Sequence, residues 1–173
     1  MNTTQIKKAL DSDKQIKHAF AGVFAADMIP SIVPQYPYLI VCNSDTSIGP
    51  GEHWLLIYIC KDKKGIFFDS MGHSPGYYGK GCFTKFLDDN CIFWEYNKKQ
   101  LQSMYSHVCG QYCLVFAYYL CRNKTIDFLV NLFHGDRIWN DICVEKFVRD
   151  HFDICTITSS KKQNVRRFNV GRW

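Results

Sequence analysis

Residues 109–121 read CGQYCLVFAYYLC, and the rest of the chain has to be arranged around them. Apolar side chains at Cys113, Leu114, Phe116, Ala117, Leu120 and Cys121 recur at three- and four-residue spacing with no proline, so the spacing predicts a helix over residues 110–121. Upstream lie short apolar runs at 38–42, 54–60, 66–69 and 91–96, each of strand length. The runs 54–60 and 66–69 are joined by Lys61-Asp62-Lys63-Lys64-Gly65, a short polar loop ending in glycine, which reads as a hairpin. Residues 4–20, 83–89, 126–133 and 138–152 read as helical pieces, the first a cover over the domain. Pro30, Pro34 and Pro37 make residues 28–38 an extended loop, and four glycines make 71–81 an ordered loop. Strands before one strongly apolar helix and helical pieces before and after it imply an α+β domain, a mixed central sheet packed on a buried central helix.

At 173 residues the chain fits a single domain, expected over residues 1–160, followed by a basic tail over 161–173. That tail carries Lys161, Lys162, Arg166, Arg167 and Arg172 with no acid. It reads as a solvated end that can also touch phosphates or an acidic partner. Nine cysteines, an odd count set partly inside apolar runs, do not form a disulfide framework, so a reducing intracellular compartment is expected. No signal-peptide pattern and no membrane-spanning run is present, so a soluble protein that is neither secreted nor membrane-bound is expected. Neither a Rossmann nor a P-loop glycine motif occurs, and His107-x-Cys109-x3-Cys113 has no second pair to complete a zinc site.

Cys109 stands at the start of the predicted helix, where unpaired N–H groups and the helix dipole favour a thiolate. Gly110 lets the backbone turn sharply there and leaves room for a substrate carbonyl. His53 begins one hairpin strand and Asp69 ends the next, so antiparallel pairing brings both to one end of the sheet. For their side chains to share a face, Asp69 must pair with His53 or Leu55, and the sequence leaves that register open. Singly, each has a plain reading: a core cysteine, a strand-end histidine, a turn-forming aspartate. Jointly they form a nucleophile, a base and an orienting carboxylate. His73 and His107 are rival bases; His107 is only two residues from Cys109, and His73 sits in the glycine-rich loop where it can line the cleft. Trp54 either shields the imidazole from water or packs the core. Asp27 reads as a loop cap, Cys113 and Cys121 as core.

Gly51-Glu52-His53-Trp54, Phe67-Phe68-Asp69-Ser70-Met71-Gly72, and Gln102 seven residues before Cys109-Gly110-Gln111-Tyr112-Cys113 together resemble the adenovirus-type maturation proteases, the adenain family. The same order also marks the ubiquitin-like-protein (SUMO) proteases. Gly22-Val23-Phe24-Ala25-Ala26-Asp27 and Ile40-Val41-Cys42-Asn43 look like the branch found in virophages and Maverick-type elements. The resemblance implies the fold of these proteases and a cysteine endopeptidase with catalytic residues His53, Asp69, Gln102 and Cys109. Gln102 then joins the backbone N–H of Cys109 in an oxyanion hole, and Trp54, Gly110 and Gly51 line the substrate. It further implies capsid or virion precursors as substrates, cut after small, glycine-type residues, by a monomer acting in the host nucleus or cytoplasmic virus factory and in the virion. No cofactor or metal is required, although DNA or an activating peptide can serve as activator. Two departures stand out: adenain has Glu where Asp69 stands, as the ubiquitin-like proteases do not, and its C-terminal helical region is longer. The alternatives are a ubiquitin- or SUMO-like protein deconjugase and, from the basic tail and net charge of +5, a non-enzymatic nucleic-acid-binding virion protein.

Overall fold

The computed structural model describes residues 1–79 and 81–152; the last part of the expected domain and the whole basic tail lie outside the described residues. The chain opens with α1 (Thr3–Ser12), whose N-terminus is closed by a reciprocal Asn2–Gln5 capping box and whose inner face buries Ile6, Ala9 and Leu10. The short α2 (Lys14–Lys17) starts on Asp13, which caps it and also holds Arg122 at 2.7 Å. Five strands follow: β1 (Phe20–Ala25), β2 (Tyr38–Asn43), β3 (Trp54–Ile59), β4 (Lys64–Phe68) and β5 (Phe93–Tyr96). Helix α3 (Cys82–Asn90) precedes β5, and α4 (Cys109–Leu120), α5 (Ile126–Leu132) and α6 (Arg137–His151) complete the described chain.

The strands form one sheet in sequence order, parallel at both outer pairs and antiparallel between β2, β3 and β4. This is the α+β domain with a mixed sheet expected from the sequence. Its two faces are both covered. Leu39, Val41, Leu56, Tyr58, Ile66 and Phe68 pack toward α4, while Ile40, Cys42, Leu55, Ile57 and Phe67 pack toward Phe83, Phe86 and Leu87 of α3. That double burial explains why β2 and β3 read as unbroken apolar runs instead of alternating ones. Helix α4 is the buried centre: Tyr112, Cys113, Leu114, Phe116, Ala117 and Leu120 are nearly inaccessible, and Phe116 stacks on Phe68 with ring centroids 3.5 Å apart.

Two readings are corrected. The helical cover does not reach residue 20, because Phe20–Ala25 is a strand joined to β2 in parallel, with an irregularity between Phe20 and Gly22. Its half-buried residues carry no alternating pattern, and its partner lies across a long loop, so nothing local announced it. The last helix begins at Arg137, one residue before the expected start, because Asp136 accepts the N–H groups of Ile138 and Trp139. Among the described residues no helix is long and apolar enough to cross a membrane.

Candidate active site

His53 stands immediately before β3 and Asp69 immediately after β4. The β3–β4 register, which sets Leu56 across from Phe68, extends by one step to put Leu55 across from Asp69. That is one of the two registers that let His53 and Asp69 share a face. The imidazole Nε2 and Asp69 Oδ1 are 2.6 Å apart.

Asp69 is fully buried, yet every lone pair has a use. Oδ1 also accepts the Met71 N–H at 2.9 Å, and Oδ2 accepts the His73 N–H at 2.9 Å and the Tyr78 hydroxyl at 2.8 Å. Its own main chain is clamped by Asn97, whose Oδ1 accepts the Asp69 N–H at 2.9 Å and whose Nδ2 donates to the Asp69 carbonyl at 2.6 Å. Burial alone acts to raise the Asp69 pKa, but the hydrogen bond and charge of His53, with the N–H and O–H donors, hold it below the usual carboxylate value. Gly72 closes the turn. At φ +79° a side chain is strained there, and a Cβ would lie 2.8 Å from the carbonyl carbon of Lys99.

Cys109 is the first residue of α4, preceded by Val108, which supplies no side-chain cap. The first-turn N–H groups therefore keep their positive field for another anion. The His53 imidazole and the backbone N–H groups of Trp54 and Gly110 act on its sulfur as donors that favour the thiolate. With Nε2 committed to Asp69, Nδ1 is the ring nitrogen left for the sulfur. Burial pushes the Cys109 thiol up, but the His53 hydrogen bond, its charge and the two N–H donors bring it below the ordinary thiol value. Burial pushes His53 down, and Asp69 and Cys109 overcome it, raising the imidazole to about 9. The remaining described cysteines with a resolved shift move the opposite way from Cys109; Cys113, one helical turn further on, is pushed well up by burial.

Gln102 is buried at 3% exposure, its carbonyl oxygen accepting the Ser70 hydroxyl at 2.6 Å and its Nε2 donating to the Ser106 carbonyl at 2.9 Å. Those two contacts set which end of the amide is which and leave one Nε2 proton uncommitted by them. A cleft of about 450 Å³ opens over Cys109, lined among others by Gly51, Trp54, His107, Asn43 and Val23.

Gly51 and Trp54 lie on the wall of that cleft. The Trp54 indole N–H donates to the Met1 carbonyl at 3.0 Å. For Gly110 the sequence reading needs correction. Gly110 is buried, and a Cβ there would meet Met1, Ile6 and Trp54 at 3.2–3.3 Å, so its small size serves the packing of α1 and Trp54 on α4. His107 is an exposed member of the cleft wall. His73 lies on the far oxygen of Asp69, its Nδ1 3.1 Å from Oδ2 and its ring stacked on Tyr77 at 3.8 Å. Asp27 pins the 44–52 loop by accepting the Ser47 N–H at 2.7 Å and the Ser47 hydroxyl at 2.8 Å. Asn97, Tyr78 and Ser70 were not singled out from sequence. Strand-end Asn and loop Tyr are too common to point anywhere alone, and only the parallel β4–β5 pairing brings Asn97 beside Asp69.

No family model and no curated protein matches the chain. Among solved structures it is similar to ChlaDub1 from Chlamydia trachomatis, with a TM-score of 0.45 and 21% identity over 60% of this chain and 46% of that one. It is also similar to the central domain of an uncharacterized Legionella pneumophila protein, with a TM-score of 0.48 and 12% identity over 87% of this chain and 97% of that one. The chain spans less than half the length of ChlaDub1.

Proposed function

We propose that this chain is a cysteine peptidase in which Cys109 is the nucleophile, His53 its acid and base, Asp69 the orienting carboxylate and Gln102 an oxyanion donor. The observation that carries the reading is the 2.6 Å contact of His53 with buried Asp69, together with Cys109 at a cleft beside that imidazole, its thiol pKa lowered and the imidazole pKa raised by one another. Shifts in opposite directions favour a proton resident on the imidazole and a charged sulfur, the state a thiol nucleophile needs.

In the first step the thiolate forms a C–S bond to the scissile carbonyl carbon and the carbonyl π pair moves onto oxygen. The Cys109 N–H and the second Nε2 proton of Gln102 then stabilise that oxyanion. Imidazolium His53 gives its proton to the amine as the C–N bond breaks, leaving a thioester. Neutral His53 next takes a proton from water, whose oxygen displaces the sulfur. Asp69 keeps one tautomer and one ring orientation throughout.

For substrate, we infer an endopeptidase of a virus or virus-like element that cuts capsid or virion precursors after small, glycine-type residues, with DNA or an activating peptide as an accessory partner. Its support is the His53-Trp54, Asp69-Ser70 and Gln102-to-Cys109 spacing that resembles the adenain family. A ubiquitin-like-protein deconjugase is the second reading, favoured by Asp69, since the resemblance gives that branch Asp where adenain carries Glu.

The test pairs wild type with Cys109→Ala against glycine-containing capsid-derived peptides and ubiquitin-like vinyl-sulfone probes. Cys109→Ala should fold and hydrolyse nothing; retained hydrolysis overturns the nucleophile. Peptide cleavage without probe capture supports the endopeptidase, and probe capture at Cys109 without peptide cleavage moves the reading to the deconjugase. Steeply salt-dependent DNA binding with no thiol-dependent hydrolysis of either returns it to a nucleic-acid-binding protein.

A further inference from the structure

Gln102 belongs to residues 97–108, which have no regular secondary structure between β5 and α4, so the aim of its amide depends on what holds its neighbours. Three side chains from outside that segment hold them. Asn140 of α6 donates through Nδ2 to the Leu101 carbonyl at 3.1 Å and to the His134 carbonyl at 3.0 Å, and accepts the His134 N–H at 3.0 Å. The Tyr112 hydroxyl, from α4, lies 3.0 Å from both the Leu101 carbonyl and Asp141 Oδ1. Asp141 Oδ2 accepts the Ser103 N–H at 3.2 Å. The carbonyl before Gln102 and the N–H after it are therefore both tied to α6, one through Asn140 and Tyr112, the other through Asp141.

Asn140 and Asp141 are 3% and 7% exposed. Among the described residues, the hydrogen-bond partners of Asp141 are a phenol and an amide N–H, not a cation. Keeping a buried carboxylate on neutral donors is expensive, and apolar residues would seat a helix at lower cost. What the carboxylate supplies is direction: two acceptor oxygens at fixed positions, one for the hydroxyl on α4 and one for the main chain beside Gln102. Ser70 and Ser106 then orient the amide itself.

We infer that Asp141, acting with Tyr112 and Asn140, is a positioning residue for the reaction: it fixes the main chain on both sides of Gln102 so that the free Nε2 proton meets the developing oxyanion. The inference rests on the assignment of Gln102 as oxyanion donor.

The experiment uses the full chain with a glycine-containing peptide substrate, Cys109 alkylation by iodoacetamide as a second readout, and the variants Tyr112→Phe, Asp141→Asn, Asp141→Ala and Gln102→Ala. Tyr112→Phe keeps the ring packing and removes only the bridging hydroxyl. It should lower kcat by about 10- to 100-fold with little change in KM, the scale of a catalytic group misplaced by a fraction of an ångström to an ångström. Alkylation should be unchanged, because the thiolate answers to His53. Asp141→Asn retains an oxygen for the Ser103 N–H and offers its amide N–H to the Tyr112 oxygen, leaving the phenol proton for the Leu101 carbonyl, so it should keep most of the activity, whereas Asp141→Ala, which removes both contacts, should lose it. In a Gln102→Ala background, Tyr112→Phe should have no further effect on kcat.

Wild-type kcat in Tyr112→Phe, or the same loss with and without Gln102, overturns the inference. Should Asp141→Ala fail to fold, Tyr112→Phe and the double variant decide. A wild-type chain that shows no Cys109-dependent hydrolysis refutes the peptidase reading itself, and the positioning role with it, before any variant is made.

Discussion

His53→Ala isolates the coupling on which the chemistry depends. In the folded chain the imidazole stands at about 9 instead of its ordinary 6.5. At about 1.4 kcal/mol per pH unit that is a net preference of about 3 kcal/mol for the charged ring, achieved against burial. Among the groups that raise it, Asp69 comes first and Cys109 second. Coupling is reciprocal, so the imidazolium that the thiolate helps to hold also stabilises the thiolate. The sign follows from both groups. Thiolate is present above the lowered Cys109 pKa, and its cationic partner persists until the pH passes about 9. Without His53, burial of Cys109 is opposed only by the backbone donors of Trp54 and Gly110, so the inflection should move up, by about one to three pH units if the loss of an adjacent opposite charge has its usual effect. The assay is the iodoacetamide alkylation rate of Cys109 from pH 5 to 10, read by mass spectrometry, with Cys109→Ser reporting alkylation at the other cysteines. An inflection at the same pH in wild type and His53→Ala would refute the ion-pair reasoning, whatever the peptidase assays show.

Asp69→Asn should lower kcat by about 10³- to 10⁴-fold, the order found when a triad carboxylate becomes an amide and the wrong imidazole tautomer is favoured; steady-state kinetics checks it. The same substitution should cost stability only above about pH 3.8, the ordinary value of the group, because the lowered Asp69 pKa contributes there and is lost as the pH falls through it. Thermal melts of wild type and variant should therefore converge in acid. Asn97→Ala leaves the Asp69 N–H and carbonyl without the partners at 2.9 and 2.6 Å, and a loss of about 1–3 kcal/mol is expected in denaturant unfolding. Gly72→Ala drives a Cβ to 2.8 Å from a Lys99 main-chain atom at a left-handed φ, so unfolding should ease by about 1–3 kcal/mol and kcat should fall with it.

The parts of the fold legible in the sequence are those where one element declares itself by its own periodicity. The apolar spacing of 109–121 identified the central helix, the polar loop at 61–65 identified the β3–β4 hairpin, and a cysteine opening that helix identified the strongest nucleophile candidate. Hydrogen bonds inside a helix or across a hairpin join residues close in sequence, so their signature survives in a short window. Strand β1 left no such signature, since its hydrogen bonds go to β2 across the proline-rich loop.

Within the candidate site the same division holds. His53, Asp69 and Cys109 were found because each sits at the end of an element, where sequence shows punctuation, and Gln102 came only through a resemblance. Which register brought His53 onto Asp69, that Asn97 clamps the carboxylate's main chain, that Gly110 is small for the sake of Met1, Ile6 and Trp54, and that α6 holds the segment around Gln102 were decided by the tertiary structure. Residue type and local spacing determine what a side chain can do. Which partner it meets is set by contacts between elements distant in the chain, and a distance of 2.6 Å between two charged groups exists only once those elements have packed.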